Sequence, residues 1–507
     1  MRVLSSIVLL PALVAAAAIN ATLPIIDLGY AIHRAMRYNA TFDTYTFSNI
    51  RFAAAPIGKL RFAPPTSPPR NRATIQDGSV GAACPQAPLA PNGTIGVSED
   101  CLFLDVIVPR SVIEGKARNV PVLFWIFGGG YIVGAKDAQG EPRLVLKESP
   151  EPVIYVAPNY RLGALGFSAG PSFTLSENTV PNAGIYDQMF ALEWVQKYIP
   201  LFGGDKEQVT VMGISAGGGS IMHLISAYGG RGSVNFKRAI PLSPGFYPMM
   251  AHASSEKIYK LFESLAGCTC SDIECLRAAP SSTIQQANSA LFATNLSASS
   301  GVGPVLDGNL VPDIPAYLFL RGLFHKEVEI MVSDDFEEGS LFTNRSETNF
   351  EDAIRSTFPS ITPDAVAKIV SFYPASSYNS TFWRLAAVTS DIIFNCNNFA
   401  MASSESPKKR YRFLTSIPPG THAVGAAALF GAPLGDPAVV RRFRRFVMNF
   451  VVYGDPNGSD GGVGNGVVFP EYNAGKGLEV SGTEIKQVDL GGDTGKCTWW
   501  SQGFYTP

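Results

Sequence analysis

Charged residues are scarce in this chain, 16% of 507 positions, and 40 Lys and Arg nearly cancel 42 Asp and Glu to leave a formal net charge of -2. That balance excludes a nucleic-acid or polyanion binder that works by charge. So little charge beside 46% hydrophobic residues also excludes a disordered chain. Past the N-terminus no apolar run approaches the length that spans a bilayer. Internal repeats and low-complexity linkers are absent, so a single domain over residues 19–507 is the expectation. Histidine is rare as well, with five in the chain, which narrows the search for a catalytic base.

The one early apolar run, MRVLSSIVLLPALVAAAAIN, places Arg2 ahead of it and ends in small residues. Ser5, Ser6 and Pro11 interrupt it, so it reads as a signal peptide over residues 1–18 rather than a membrane anchor, and the mature protein is expected to be secreted. Seven Asn-x-Ser/Thr sequons, at Asn20, Asn39, Asn92, Asn295, Asn344, Asn379 and Asn457, are candidate glycosylation sites. Seven cysteines fit an oxidising compartment, and their odd number leaves at least one unpaired within the chain. Cys84 and Cys101 can close a local loop, Cys268, Cys270 and Cys275 crowd one segment, and spacing alone fixes no connectivity. No histidine lies near Cys268 and Cys270, so no metal site is expected.

Glycine (49) and proline (37) are plentiful, which suggests many tight connections. Short apolar runs of strand type recur at 120–127, 152–158, 208–214, 238–243, 328–333 and 411–416, with helical spacing at 183–199 and 439–453. Strands alternating with helices predict an α/β fold with a largely parallel sheet. Arg441, Arg442, Arg444 and Arg445 read as the solvated face of their helix.

The pattern Gly-x-Ser-x-Gly marks a strained strand-to-helix turn that presents a serine nucleophile. It occurs twice, around Ser168 and around Ser215. Ser215 follows the apolar run QVTVMGI and precedes a helix-capable segment, whereas Ser168 runs into Gly170-Pro171, so Ser215 is the candidate nucleophile and Ser168 a loop residue. Serine needs a base. His33 and His325 belong to the wrong ends of strands, His252 follows the strand after the elbow, and His223 stands about 12 Å along the elbow helix. His422, in a Gly/Pro loop after the late strand YRFLTS, is the candidate base. Four acids, Asp334, Asp335, Glu337 and Glu338, compete to orient it, the remainder being solvated loop charge. Phe127-Gly128-Gly129-Gly130-Tyr131 follows a hydrophobic strand, and its bare backbone suits an oxyanion hole.

Extended blocks accompany these residues: Ile50-Arg-Phe-Ala-Ala-Ala-Pro-Ile-Gly-Lys-Leu-Arg-Phe62, Ser98-Glu-Asp-Cys-Leu-Phe-Leu-Asp105, Asn159-Tyr-Arg-Leu-Gly-Ala-Leu-Gly-Phe167 and Phe202-Gly-Gly-Asp205. From about residue 50 to Trp499 the chain resembles the type-B carboxylesterase/lipase family, the cholinesterase-like α/β-hydrolases, and its fungal secreted members in particular. The resemblance implies an α/β-hydrolase fold, with a large, mostly parallel sheet flanked by helices. It implies a serine carboxylic-ester hydrolase that forms an acyl-enzyme on Ser215, acts on a small-molecule or lipid ester and needs no cofactor. Glu338 is then the orienting carboxylate, His422 the base, and the N–H groups of Gly129, Gly130 and Ala216 the oxyanion hole. The implied disulfides are Cys84–Cys101, Cys268–Cys275 and Cys396–Cys497, with Cys270 left over. A triacylglycerol lipase of the same fold is the first alternative, and a non-catalytic binding protein of that fold the second.

Three positions depart from the family pattern. Ile214 stands where the family usually has Glu before the nucleophile; with one carboxylate fewer to stabilise the imidazolium, activity is expected to persist to lower pH than in Glu-bearing relatives. The loop of residues 85–100 is short and holds no Trp, so neither choline specificity nor strong interfacial activation is expected. The run Ala423-Val-Gly-Ala-Ala-Ala428 after His422 is small and apolar, without polar support for the ring.

Overall fold

The computed structural model describes residues 23–88, 96–249, 252–268, 273–293, 302–406, 408–458, 466–473, 475–491 and 495–505. The signal-peptide segment, Asn20, Asn92, Asn295 and Cys270 lie outside them. An 11-stranded sheet runs through the molecule. From one edge its order is Ile485–Asp489, Lys476–Ser481, Arg410–Ser416, Glu329–Asp335, Arg238–Leu242, Gly204–Ile214, Val120–Ile126, Ile154–Pro158, Phe103–Pro109, Thr44–Arg51 and Arg37–Asn39. The strands from Lys476–Ser481 to Ile154–Pro158 pair in parallel, and the edges pair antiparallel. A separate 3-stranded sheet joins Ile25–Asp27, Ala31–Arg34 and Asn71–Gln76.

Central strands such as Val120–Ile126 (VPVLFWI), Ile154–Pro158 and Arg238–Leu242 are buried at every position. Helices cover both faces of a parallel sheet, so such strands read as continuous apolar runs rather than alternating ones. The six predicted strands and the two predicted helices, Ala183–Tyr198 and Pro437–Tyr453, are all present within a few residues of their expected bounds. Helix Pro437–Tyr453 shows why: the Asp436 side chain accepts from Ala438 N–H at 2.7 Å, Pro437 opens the first turn, and Gly454 (φ 73°) closes the last.

One expectation for that helix fails. Arg444 is buried, not solvated, and donates to Ala428 O at 2.7 Å and Leu429 O at 2.9 Å. Those carbonyls end helix Val424–Leu429, so Arg444 satisfies acceptors that the short helix leaves free. A second, smaller apolar cluster packs helices Phe350–Thr357, Pro363–Phe372 and Thr381–Ser390 around Trp500 and Tyr505. The bond between Cys396 and Cys497 adjoins this cluster; Cys84 bonds Cys101 and Cys268 bonds Cys275. Among the described residues no helix is long and apolar enough to cross a membrane.

The quoted sequence blocks turn out to be scaffolding. Arg61 grips Glu99 with two bonds of 2.7 and 2.6 Å, both side chains buried, and Arg161 grips Asp187 in the same way at 2.8 and 2.7 Å. Two-point pairing of this kind is what makes a charge tolerable in the interior. Of the described sequons, Asn344 and Asn379 are exposed and Asn39 half-buried. Asn457 is buried, and its Nδ2 donates to Asp455 Oδ1 at 2.9 Å and Phe469 O at 3.0 Å.

Candidate active site

Ser215 sits between the strand Gly204–Ile214 and the helix Ala216–Ser226 with φ 57° and ψ -122°, a conformation that side-chain-bearing residues avoid and that the surrounding structure must enforce. Its backbone is held on both sides: its N–H donates to Leu242 O at 3.0 Å, and its carbonyl accepts from Gly219 N–H and Gly245 N–H at 2.8 and 3.0 Å. Contact explains the two flanking glycines. A Cβ on Gly217 would stand 2.1 Å from Ile126 O, and one on Gly213 would stand 2.8 Å from Gly217 O and Ile126 O. Strand, helix and neighbouring strand meet too closely there for any side chain. The rival Ser168 follows helix Gly163–Phe167 as its C-terminal cap; its buried hydroxyl donates to Ala164 O at 2.7 Å.

The Gly128–Gly130 loop lies directly over the elbow. A Cβ on Gly128 would come 2.6 Å from Ile214 O and 3.0 Å from Ser215 Cβ. Gly129 (φ +114°) and Gly130 (φ +62°) turn the chain back, with Gly129 O accepting from Ile132 and Val133 N–H at 3.0 Å. Among the described residues the N–H groups of Gly129, Gly130 and Ala216 donate to no other group. These are donors without acceptors among the described residues, in the segment after Gly128, which lies against Ser215, and in the residue that follows Ser215.

His422 and Glu338 come together across 84 residues: His422 Nδ1 lies 2.5 Å from Glu338 Oε2, with both side chains buried. Glu338 Oε1 accepts the backbone N–H of Asp335 at 2.7 Å. Their two loops are aligned by a parallel bridge between Glu337 and Thr421, with Glu337 N–H on Gly420 O at 2.8 Å. Phe394 and Phe342 pack the imidazole at ring distances of 4.4 and 5.1 Å. The apolar run after His422 therefore costs the ring no support, which comes instead from Glu338 and these two aromatics. Nε2, the nitrogen facing away from Glu338, is buried and has no hydrogen-bond partner among the described residues. Gly339 follows Glu338 because a Cβ there would meet Ala386 O at 2.0 Å.

The acids around Glu338 correct the expectation of solvated loop charge. Asp334 and Asp335 are 4% and 3% exposed at the end of the strand Glu329–Asp335, and only Glu337 is half-buried. Burial pushes the Asp334 carboxyl up to about 7 even though Arg412 Nη2 lies 2.9 Å from it. Burial, and then the nearby Glu338 charge, hold Asp335 well above the usual carboxylate range. Asp335, Ser243 beside it and the two phenylalanines are site residues that motif spacing did not find. Two acids closing an apolar strand are the one signal that points to them. Asp335, Glu338 and His422 bring potential metal donors within 4.8 Å of one another, the one such cluster among the described residues. Glu338 and His422 are already hydrogen-bonded to each other. The remaining histidines stand apart: burial pulls His223 down to about 3 and His33 to about 4, and both His223 ring nitrogens are buried without partners.

Comparison with known proteins agrees with this geometry. The Carboxylesterase family profile matches residues 33–500. The chain is 32% identical to "Carboxylesterase patB" of Aspergillus clavatus over 96% of this chain and 97% of that protein. It is 30% identical to a "Secreted lipase" of Arthroderma benhamiae over 86% and 82% of the two chains. The crystal structure of Aspergillus niger EstA superposes with a TM-score of 0.81 at 28% identity, covering 95% of this chain and 98% of that one. The α/β-hydrolase fold expected from the sequence is the fold observed.

Proposed function

Because the chain belongs to the carboxylesterase family and is a carboxylic-ester hydrolase, we propose that Ser215, His422 and Glu338 form its catalytic triad and that hydrolysis passes through an acyl-enzyme on Ser215. His422 Nε2 takes the Ser215 proton as Oγ adds to the ester carbonyl, and Glu338 stabilises the imidazolium that results. The N–H groups of Gly129, Gly130 and Ala216 receive the developing oxyanion. Return of the proton to the leaving alkoxide frees the alcohol. Water, deprotonated by the same histidine, then releases the acid and restores the serine. All of these groups belong to the protein, so the reaction needs no cofactor.

The observation that carries this reading is the 2.5 Å contact between His422 Nδ1 and Glu338 Oε2, which leaves Nε2 as the free end of the ring. Hydrolysis of p-nitrophenyl esters from acetate to palmitate by the protein and its Ser215→Ala variant tests it. The variant is expected to lose at least about 1,000-fold in kcat/KM. A variant as active as the parent overturns the assignment. The chain-length optimum separates an esterase acting on small esters from a lipase. Export with removal of residues 1–18 is part of the same proposal, supported by three disulfides and by the secreted relative. N-terminal sequencing of the protein from culture medium checks it.

A further inference from the structure

The proposed triad residues arrive from three separate parts of the chain, and one residue that the mechanism does not use, Asp335, bonds the Glu338 side chain, the helix that follows His422 and the Ser243 turn that backs the Ser215 segment. Asp335 Oδ1 accepts from Gly425 N–H at 3.1 Å, in the first turn of the helix that starts just after His422. Its Oδ2 accepts from Ser243 Oγ at 3.3 Å. Ser243 directly follows Leu242, whose carbonyl holds the Ser215 N–H, and precedes Gly245, whose N–H holds the Ser215 carbonyl. Through its own backbone N–H, Asp335 holds Glu338 Oε1 at 2.7 Å. The fit is close: a Cβ on Gly425 would stand 3.1 Å from Asp335 Oδ1 and 2.7 Å from Thr415 Oγ1.

We propose that Asp335 is a positioning residue of the triad, a buried strut whose carboxyl joins the Ser243 turn to the Gly425 helix while its backbone N–H holds Glu338, so that the serine, acid and histidine segments keep one register. The inference rests on the catalytic reading given above. Burial and the neighbouring Glu338 charge raise the Asp335 carboxyl, while the hydrogen bonds it accepts from Gly425 and Ser243 work the other way. Besides Glu338 and His422, the charged groups that line one cavity with Asp335 are Asp334, paired with Arg412, Asp391, paired with Lys496, and Asp489.

The test compares Asp335→Ala and Asp335→Asn with the parent and with Ser215→Ala in ester hydrolysis across pH and in thermal melting. Asp335→Ala is expected to lose about 10- to 100-fold in kcat with KM nearly unchanged, the effect of reacting groups displaced by up to 1 Å. Asp335→Asn keeps an acceptor for Gly425 and a polar atom for Ser243, so it should fold, recover most of the rate and leave the acid limb of kcat/KM where the parent has it. Parent-like kcat in Asp335→Ala beside an inactive Ser215→Ala overturns the strut alone. An acid limb shifted to lower pH in Asp335→Asn also overturns it, since a charge and not a strut would then be at work. Full activity in Ser215→Ala overturns both readings.

Discussion

Replacing Gly217 by alanine sets helix propensity against contact. Gly217 occupies the second position of helix Ala216–Ser226, where propensity alone favours alanine by about 0.8–1 kcal/mol. The added methyl, however, would stand 2.1 Å from Ile126 O and 2.8 Å from Phe127 O. Both are backbone atoms and cannot rotate aside, so helix and strand must part by roughly 1 Å to reach ordinary van der Waals separation. Overpacking of this kind costs about 1–3 kcal/mol, more than propensity returns. The same movement carries Gly129 and Gly130, just beyond the strand, away from Ala216 at the start of the helix. A displacement of that size costs on the order of 100-fold in rate. Gly217→Ala is therefore expected to melt below the parent and to hydrolyse p-nitrophenyl butyrate about 100-fold more slowly in kcat/KM. Gly96→Ala, where the methyl meets nothing within 4 Å among the described residues, is the control and should behave as the parent does. A Gly217→Ala protein as stable and as active as that control would refute the argument.

The Cys396–Cys497 bond closes a separation of 101 residues and Cys268–Cys275 one of 7, so the chain-entropy argument predicts a loss of roughly 4–5 kcal/mol for Cys396→Ser with Cys497→Ser and clearly less for the shorter pair; equal melting temperatures for the two double variants would contradict it. Burial lowers His223 from 6.5 to about 3, so the unfolded chain binds a proton that the folded one refuses, and stability falls as pH drops from 6.5 towards 3 by up to about 1.4 kcal/mol per unit. His223→Leu should flatten that part of the denaturation profile, and a slope parallel to the parent's would count against it. Ile214 is 2% exposed, so burial would raise the pKa of a Glu in its place above that of the unfolded chain. Ile214→Glu should match Ile214→Gln in stability at pH 5 and fall below it at pH 8, whereas a constant difference at both pH values would show that the carboxyl reaches water.

The parallel half of the sheet was legible in the sequence because burial on both faces forces unbroken apolar runs such as VPVLFWI and RAIPL. The antiparallel edges were not. Thr44–Arg51 carries Thr at two of its buried positions and Ser, Asn and Arg at half-buried ones, and Asn71–Gln76, in the separate small sheet, is polar and mostly exposed, so neither shows the apolar period that marks a strand. Arg444 misled for a related reason. Four arginines on one helix look alike in sequence, and only the end of helix Val424–Leu429, brought alongside by the fold, supplies the carbonyls that draw one of them inside.

Legibility of the site divides along the same line. The elbow could be read because its constraint is local in sequence: Gly213 and Gly217 are glycines on account of Ile126 and of each other, and that need appears as a five-residue motif. The orienting acid could not be read from spacing, because Asp334, Asp335, Glu337 and Glu338 stand within five residues and all are carboxylates. What distinguishes them is long-range: Arg412 engages Asp334, Ser243 and Gly425 engage Asp335, and the Glu337–Thr421 bridge draws the Glu338 and His422 loops together. Gly339 answers to a long-range contact of the same kind. A residue with a Cβ there would strike Ala386 O at 2.0 Å, so the glycine marks where the strand end must turn under the helix Thr381–Ser390 and bring the preceding carboxylate to the imidazole. Close backbone contact, unlike charge, admits a single residue type, yet the atom that imposes it here, Ala386 O, comes from a distant helix, which is why spacing left the four acids open and only the family resemblance implied Glu338.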